Sequence, residues 1–203
     1  YYKNGVIVAA DSRTSCGSSI FRHDSLKISE ISRFSLLTAA GTVAYIQYMK
    51  DELIQFINQF IIESDGQFLT LDGQARLFKE ILRIISPFIA LESVFILAGY
   101  DIRLNKFRIY EFDELGGWYE VSSKQKFASV GSGGEIAGSI LKSGLDKNPK
   151  PDFKEALKLA LEALNQSANR DYFSEPPSLN KPMIFKIDKN GCKLISNPHN
   201  PEE

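Results

Sequence analysis

The sequence predicts an α+β fold, a four-layer α/β/β/α sandwich of two antiparallel sheets between layers of helix. Elements come in blocks (strands, two helices, strands, two helices, strands) and not in the strict alternation of a parallel α/β sheet. The two strand blocks are rich in apolar runs that need cover on their faces, which two sheets between helices would provide. The 203 residues, 43% of them hydrophobic, suffice for one domain with a full core.

The first strand is Gly5–Asp11 (GVIVAAD), a short apolar run that ends in the turn chemistry of Asp11, Ser12 and Arg13. Ser35–Ala40 (SLLTAA) is a second, closed by Gly41. From Thr42 to about Glu63, Ile46, Met49, Leu53, Phe56, Ile57 and Phe60 recur at helical spacing, and Asp65-Gly66 stops that helix. A second helix runs from about Asp72 to Ser86, with Leu77, Ile81, Leu82 and Ile85 on one face and Pro87 beyond it. Its aromatic residue Phe78, with Tyr45, Tyr48, Phe56 and Phe60 of the first helix, reads mostly as core. Strands follow at Ser93–Tyr100, Lys106–Asp113 and Gly117–Val121. Phe127–Gly131 leads into a helix that closes near Gly144. Asp152 caps the helix Phe153–Ala168, with Glu155 placed for a capping box. Pro182–Asp188 and Cys192–Ser196 flank the turn Lys189-Asn190-Gly191 as two late strands. Residues 1–203 read as a single domain with a polar tail at 197–203. Tyr1 falls inside a strand-like run, which implies an earlier start to the first strand.

Composition excludes several classes. A formal net charge of -1 argues against a phosphate-backbone binder, so no nucleic-acid partner is expected. No apolar run reaches the roughly 18–20 residues of a membrane span. Cys16 and Cys192 are too few and too far apart for a disulfide scaffold, and read as idle thiols in a reducing compartment. His23 and His199 form no close cluster with cysteine, so no metal site is expected.

Motifs narrow the function where composition cannot. GVIVAADSRTS is followed by Lys27, sixteen residues after Asp11, then by TAAG ending at Gly41, SVGSGG at Ser129–Gly134 and NRDYFS at Asn169–Ser174. In order and spacing these resemble the proteasome β-subunit family across essentially the whole chain. LTLDGQARLFKEILR and GYD…GGWYE…VGSGG resemble its bacterial branch most. Each motif alone is weak; five in register are specific. The resemblance implies an N-terminal-nucleophile hydrolase fold. It also implies a threonine-type endopeptidase whose nucleophile lies about six residues before Tyr1, with the threonine's own amine as base or sharing that role through water, and with no metal or organic cofactor.

The resemblance assigns catalytic roles to Asp11, Lys27, Gly41, Ser132, Asp171 and Ser174. Lys27 beside the hydroxyl and amine would favour their deprotonated forms, with Asp11 orienting it. The Gly41 N–H would face the developing oxyanion. Asp171, Ser132 and Ser174 would hydrogen-bond around the terminal amine. All but Ser174 have a plainer reading: Asp11 as a strand-end turn residue, Lys27 as a surface lysine, Gly41 as a helix-start glycine, Ser132 as a helix N-cap and Asp171 as a loop carboxylate. After Ser174 the chain departs from the family, with Glu175-Pro176-Pro177 where many members carry glycines. By register, Thr14, Ser25, Ser29, Ala39, Val43 and Gln47 line a specificity pocket suited to uncharged, apolar side chains. Arg13 and Ser15 lie beside the substrate strand.

The partners implied are proteasome α subunits and other β subunits in stacked heptameric rings, a regulatory ATPase and unfolded polypeptide, in the cytoplasm. Two alternatives stand beside this: a catalytically silent structural β subunit, and a small-molecule amidase of the same superfamily.

Overall fold

A computed structural model describes residues 1–16, 19–85, 92–113, 115–122 and 124–199. It has the expected four layers. The inner layers are two antiparallel sheets. One has the order β1-β9-β10, from β1 (Val6–Ala10), β9 (Met183–Asp188) and β10 (Gly191–Ser196). The other is a meander of β4 (Ile28–Ser32), β5 (Ser35–Gly41), β6 (Ser93–Asp101), β7 (Lys106–Phe112) and β8 (Trp118–Glu120). A hairpin of β2 (Thr14–Cys16) and β3 (Ser19–Arg22) stands apart.

The alternation of side chains along β5 and β6 explains the layering. Leu36, Ile96 and Ala98 face the other sheet and pack with Val6, Val8, Phe185 and Ile187. Leu37, Phe95 and Leu97 face the opposite way, onto α1 (Val43–Glu63) and α2 (Leu71–Ile85), where Met49, Leu53, Phe78 and Leu82 are fully buried. A sheet covered on both faces favours apolar residues at most positions, which is why these strands read as near-continuous apolar runs. Phe78 lies edge-on to Phe95 and Phe112 at 5.1 Å each. Of the helix aromatics, Tyr45 and Phe78 are core as expected, whereas Tyr48, Phe56 and Phe60 lie exposed.

The outer layer over β1 and β9 is α3 (Gly134–Lys147) and α4 (Phe153–Ala168). The capping box is present: the Glu155 N–H donates to Asp152 Oδ1 at 2.9 Å, and the Asp152 N–H to Glu155 Oε2 at 2.8 Å. Such a box stabilises a helix start by about 1 kcal/mol. α3 runs past Gly144 to Lys147 and does not close there. A Cβ at Gly144 would lie 2.4 Å from Leu159 Cδ1, so this glycine serves the close approach of α3 to α4.

Strands β2, β3 and β4 were not expected from the sequence. In β4 the two isoleucines lie three apart and point to opposite faces, Ile28 between the sheets and Ile31 toward the helices, so apolar–polar alternation never develops. The expected helix stop at Pro87 lies outside the described residues.

Candidate active site

Side chains from five segments meet at one end of the sandwich. β1 ends at Ala10, and Asp11 follows in a turn where its Oδ1 accepts the Arg13 N–H at 2.8 Å. The same oxygen accepts from Lys27 Nζ at 2.8 Å. Lys27 directly precedes β4, and its carbonyl accepts from the Thr38 hydroxyl of β5 at 2.9 Å. The Asp11–Lys27 pair therefore joins one sheet to the other. Both side chains are half-buried, 17% and 27% exposed, where an ion pair is less screened than on the surface.

A second carboxylate lies just past α4. Asp171 Oδ2 accepts from the hydroxyls of Ser132 at 2.6 Å and Ser174 at 2.7 Å, and Oδ1 accepts the Phe173 N–H at 3.2 Å. Burial would raise the Asp171 carboxyl, but these bonds and the nearby Lys27 charge outweigh it and hold it below the usual aspartate range. Ser132 is not the N-cap of α3; that position is Gly133, and the serine hydroxyl turns to Asp171 instead. The segment is pinned from below as well. The Ser167 hydroxyl donates to the Gly133 carbonyl at 3.1 Å, and a Cβ on Gly133 would fall 2.7 Å from Ser174 Oγ. Glycine there lets the α3 entry lie flat on the end of α4.

Gly41 ends β5, paired with Ser93 of β6, at φ +133°. A Cβ there would lie 2.3 Å from the Glu92 carbonyl oxygen and 2.6 Å from Ser93 Cα. No other residue fits this conformation and spacing. The Thr42 N–H next to it donates to Ser93 Oγ at 3.1 Å.

These residues border a cavity of about 1540 Å³, which Asp11, Lys27, Gly41, Ser132 and Ser174 all line. Asp171 stands behind Ser132 and Ser174. The cavity continues along β1 and the segment 127–131 and under α3 and α4, where Leu141, Leu159 and Leu164 face it. Among the described residues, β1 is paired on one edge alone, with β9. The Tyr1 amino nitrogen lies 2.8 Å from the Lys126 carbonyl, and Tyr2 bridges Gly5, so the chain enters β1 through a tight reversal.

The residues expected at a specificity pocket line the same cavity. Thr14 of β2 donates to Ser25 Oγ at 2.6 Å; Ser29 is on β4 and Ala39 on β5. Val43 and Gln47 open α1, and the Gln47 amide turns to Asp51 at 3.1 Å. Ser15 pairs with Ile20 in the hairpin. Arg13 lines the cavity, yet its guanidinium is tied away from it: Nη1 donates to the Tyr172 carbonyl at 2.5 Å. Sequence reasoning did not single out Lys50, which also lines the cavity and pairs with Asp51 at 3.4 Å. Its position one helical turn after Gln47 was the available signal. Ser12 and Ser167, both buried, were missed too, because a lone serine carries no pattern.

Among the described residues, no group of three or more His, Cys, Asp or Glu is placed to hold a metal ion, and no helix is long and apolar enough to cross a membrane. A cation, one carboxylate, two hydroxyls and an exposed glycine backbone thus line one cavity, with a second carboxylate behind the hydroxyls. Such a cavity can hold an amine and an alcohol in hydrogen bonds and stabilise negative charge beside them.

The sequence matches a protein family described as proteasome subunit over residues 1–177. It is 32% identical to a proteasome subunit beta of Jonesia denitrificans, covering 96% of this chain and 64% of the relative. It is 31% identical to one from Methanocaldococcus vulcanius, over 95% of this chain and 81% of the relative. It is 29% identical to proteasome subunit beta 2 of Pyrococcus abyssi, over 96% and 86%. The chain thus spans less than two thirds of the Jonesia relative. Bacterial and archaeal relatives match at similar identity, so the expected kinship with the bacterial branch is not distinguished.

Proposed function

We infer that this chain, which belongs to the proteasome subunit family, is a β-type subunit of a 20S proteasome-like particle and hydrolyses peptide bonds with an N-terminal threonine. The observation that carries this reading is the meeting of Asp11–Lys27 with Ser132–Asp171–Ser174 at one end of the cavity.

The nucleophile belongs to residues that precede Tyr1. The Tyr2–Gly5 bridge supports this. In an antiparallel pair each step back on one strand meets a step forward on the other, so a residue about six before Tyr1 would lie level with Ser12, beside Asp11 and Lys27. Such a strand would run along the free edge of β1 and the segment 127–131. In the reaction, the threonine hydroxyl attacks the scissile carbonyl and its proton passes to the threonine's own amine. Lys27 favours the deprotonated nucleophile, and Asp11 holds Lys27. The Gly41 N–H stabilises the oxyanion, a contribution of roughly 3–4 kcal/mol for one such donor. The amine product leaves, and water hydrolyses the acyl-enzyme. Ser132, Ser174 and Asp171 orient the terminal amine. Ala39 and Val43 favour a bulky uncharged residue before the cleaved bond.

The subunit would act in stacked heptameric rings with α subunits, fed with unfolded polypeptide by an ATPase in the cytoplasm. The exposed Tyr48, Phe56 and Ile62 on α1 are suited to subunit contacts. The test is hydrolysis of fluorogenic peptides by the full-length gene product, assembled with its α partner. Turnover lost in Lys27→Ala supports the reading; no turnover in a correctly assembled particle refutes it.

A further inference from the structure

Glu175 stands where the family resemblance leads one to expect glycine, and it is buried, at 3% exposure. Its carboxylate meets three other segments. Oε2 accepts from the Ser12 hydroxyl at 3.2 Å and from Asn180 Nδ2 at 3.4 Å. Oε1 lies 2.6 Å from His23 Nδ1 and 3.6 Å from Arg13 Nη2. Further bonds close the same knot, with Asn180 Nδ2 donating to the His23 carbonyl at 2.9 Å and Arg13 Nη1 to the Tyr172 carbonyl at 2.5 Å. Burial pushes the Glu175 carboxyl up, but the bonds from His23, Asn180 and Ser12, together with the His23 charge, bring it below the ordinary glutamate range. The carboxylate is a fixed, paired anion. Pro176 after it disfavours helical backbone at Glu175.

Ser12 and Arg13 directly follow Asp11; Glu175 directly follows Ser174; His23 precedes Ser25 and Lys27. We propose that Glu175 is a positioning residue: its carboxylate clamps the loop that carries Asp171 and Ser174 onto the strand end that carries Asp11, and so sets their spacing from Lys27. A loop with glycines at this place would have no such tie, and the hydroxyls of Ser132 and Ser174 would meet the amine less often in a productive geometry.

The kinetic consequence rests on the peptidase reading, so the test carries a second readout that does not. Glu175→Gln keeps the size but presents an amide to Arg13 and His23. Gln74→Ala, which removes a buried bond between α2 and Ser35 away from the cavity, serves as the stability control. In the full-length assembled protein, Glu175→Gln lowers kcat about tenfold to a hundredfold with KM changed less than about threefold, whereas Gln74→Ala lowers the melting temperature and leaves kcat alone. In both variants and the parent, hydrogen exchange is followed over 171–175, where the amides of Phe173 and Ser174 bond to Asp171. Exchange there quickens in Glu175→Gln only. If Glu175→Gln fails to fold, Asn180→Ala, which leaves the carboxylate charge paired, gives the same pattern on a smaller scale. An active parent with unchanged kcat in the clamp variant overturns the proposal. If the parent itself turns over no peptide, the peptidase reading falls, and exchange alone decides: faster exchange upholds the clamp and unchanged exchange overturns it.

Discussion

Replacing Gly41 with alanine tests the backbone that places its N–H. The new methyl would lie 2.3 Å from the Glu92 carbonyl oxygen, 2.4 Å from Ser93 Oγ and 2.6 Å from Ser93 Cα. Two of these atoms are backbone of the paired strand, so no rotamer change relieves the clash. Strain at φ +133° adds to it. Backbone strain of about 1–3 kcal/mol and overpacking of about 1–3 kcal/mol together predict a loss of about 2–6 kcal/mol. For a domain of this size that lowers the melting temperature by about 4–24 °C. Gly66→Ala is the control: its φ of +82° is also positive, but nothing lies within 4 Å of the added methyl, and the cost is about 1–2 kcal/mol of conformation alone. Differential scanning calorimetry of the two variants reads the difference. A Gly41→Ala protein that melts within about 2 °C of the parent, or no lower than Gly66→Ala, would refute the reasoning. Alanine keeps a main-chain N–H, so peptide hydrolysis measured well below the melting temperature falls only as far as the clash moves that N–H off the oxyanion, with the about 10²–10³ in kcat of a lost donor as the upper bound.

Three further outcomes follow from the site and the core. Lys27→Met and Asp11→Asn each lower peptide turnover by about a hundredfold or more while circular dichroism stays that of the parent; full activity in either would remove the pair from the mechanism. Because the Asp171 carboxyl is held below its ordinary value of 3.8, it stabilises the fold above that pH and loses the contribution as pH falls through its lowered value. Urea titrations between pH 6 and pH 2 should therefore show a shallower acid loss in Asp171→Asn than in the parent, and parallel curves would contradict the assignment. The Cys192 thiol, pushed up to about 12 by burial and by the nearby Glu30 and Asp188, reacts slowly with a disulfide reagent at pH 8 in the folded protein and quickly in urea. Equal rates, read by peptide mapping at Cys192, would place that strand outside the core.

Legibility in the sequence followed locality. α4 was readable to its bounds because the Asp152–Glu155 capping box and the apolar spacing are both local. β5 and β6 were readable because burial on both faces makes most of their residues apolar. β2 and β3 were not, since a hairpin standing off both sheets has little to bury and carries no alternation. Gly144 read as a stop because a helix-ending glycine and a glycine under a neighbouring helix look alike until Leu159 is in place. At the site, the spacing of Asp11 and Lys27 was visible in one stretch of chain. The bond of Asp171 to Ser174 is local, but its bond to Ser132 depends on α3 folding back over α4, and Glu175 registered only as a departure from pattern. Its partners Ser12, His23 and Asn180 come from segments that only the tertiary fold brings together.

The central claim is a threonine nucleophile at the Asp11–Lys27 end of the cavity. The most direct test is treatment of the purified, assembled full-length protein with a threonine-directed electrophile, followed by intact mass and N-terminal sequencing. The account predicts one adduct per subunit, on a free N-terminal threonine about six residues before Tyr1, and no adduct in Lys27→Ala. An assembled protein with no such terminal threonine and no adduct would contradict it and leave a structural β-type subunit.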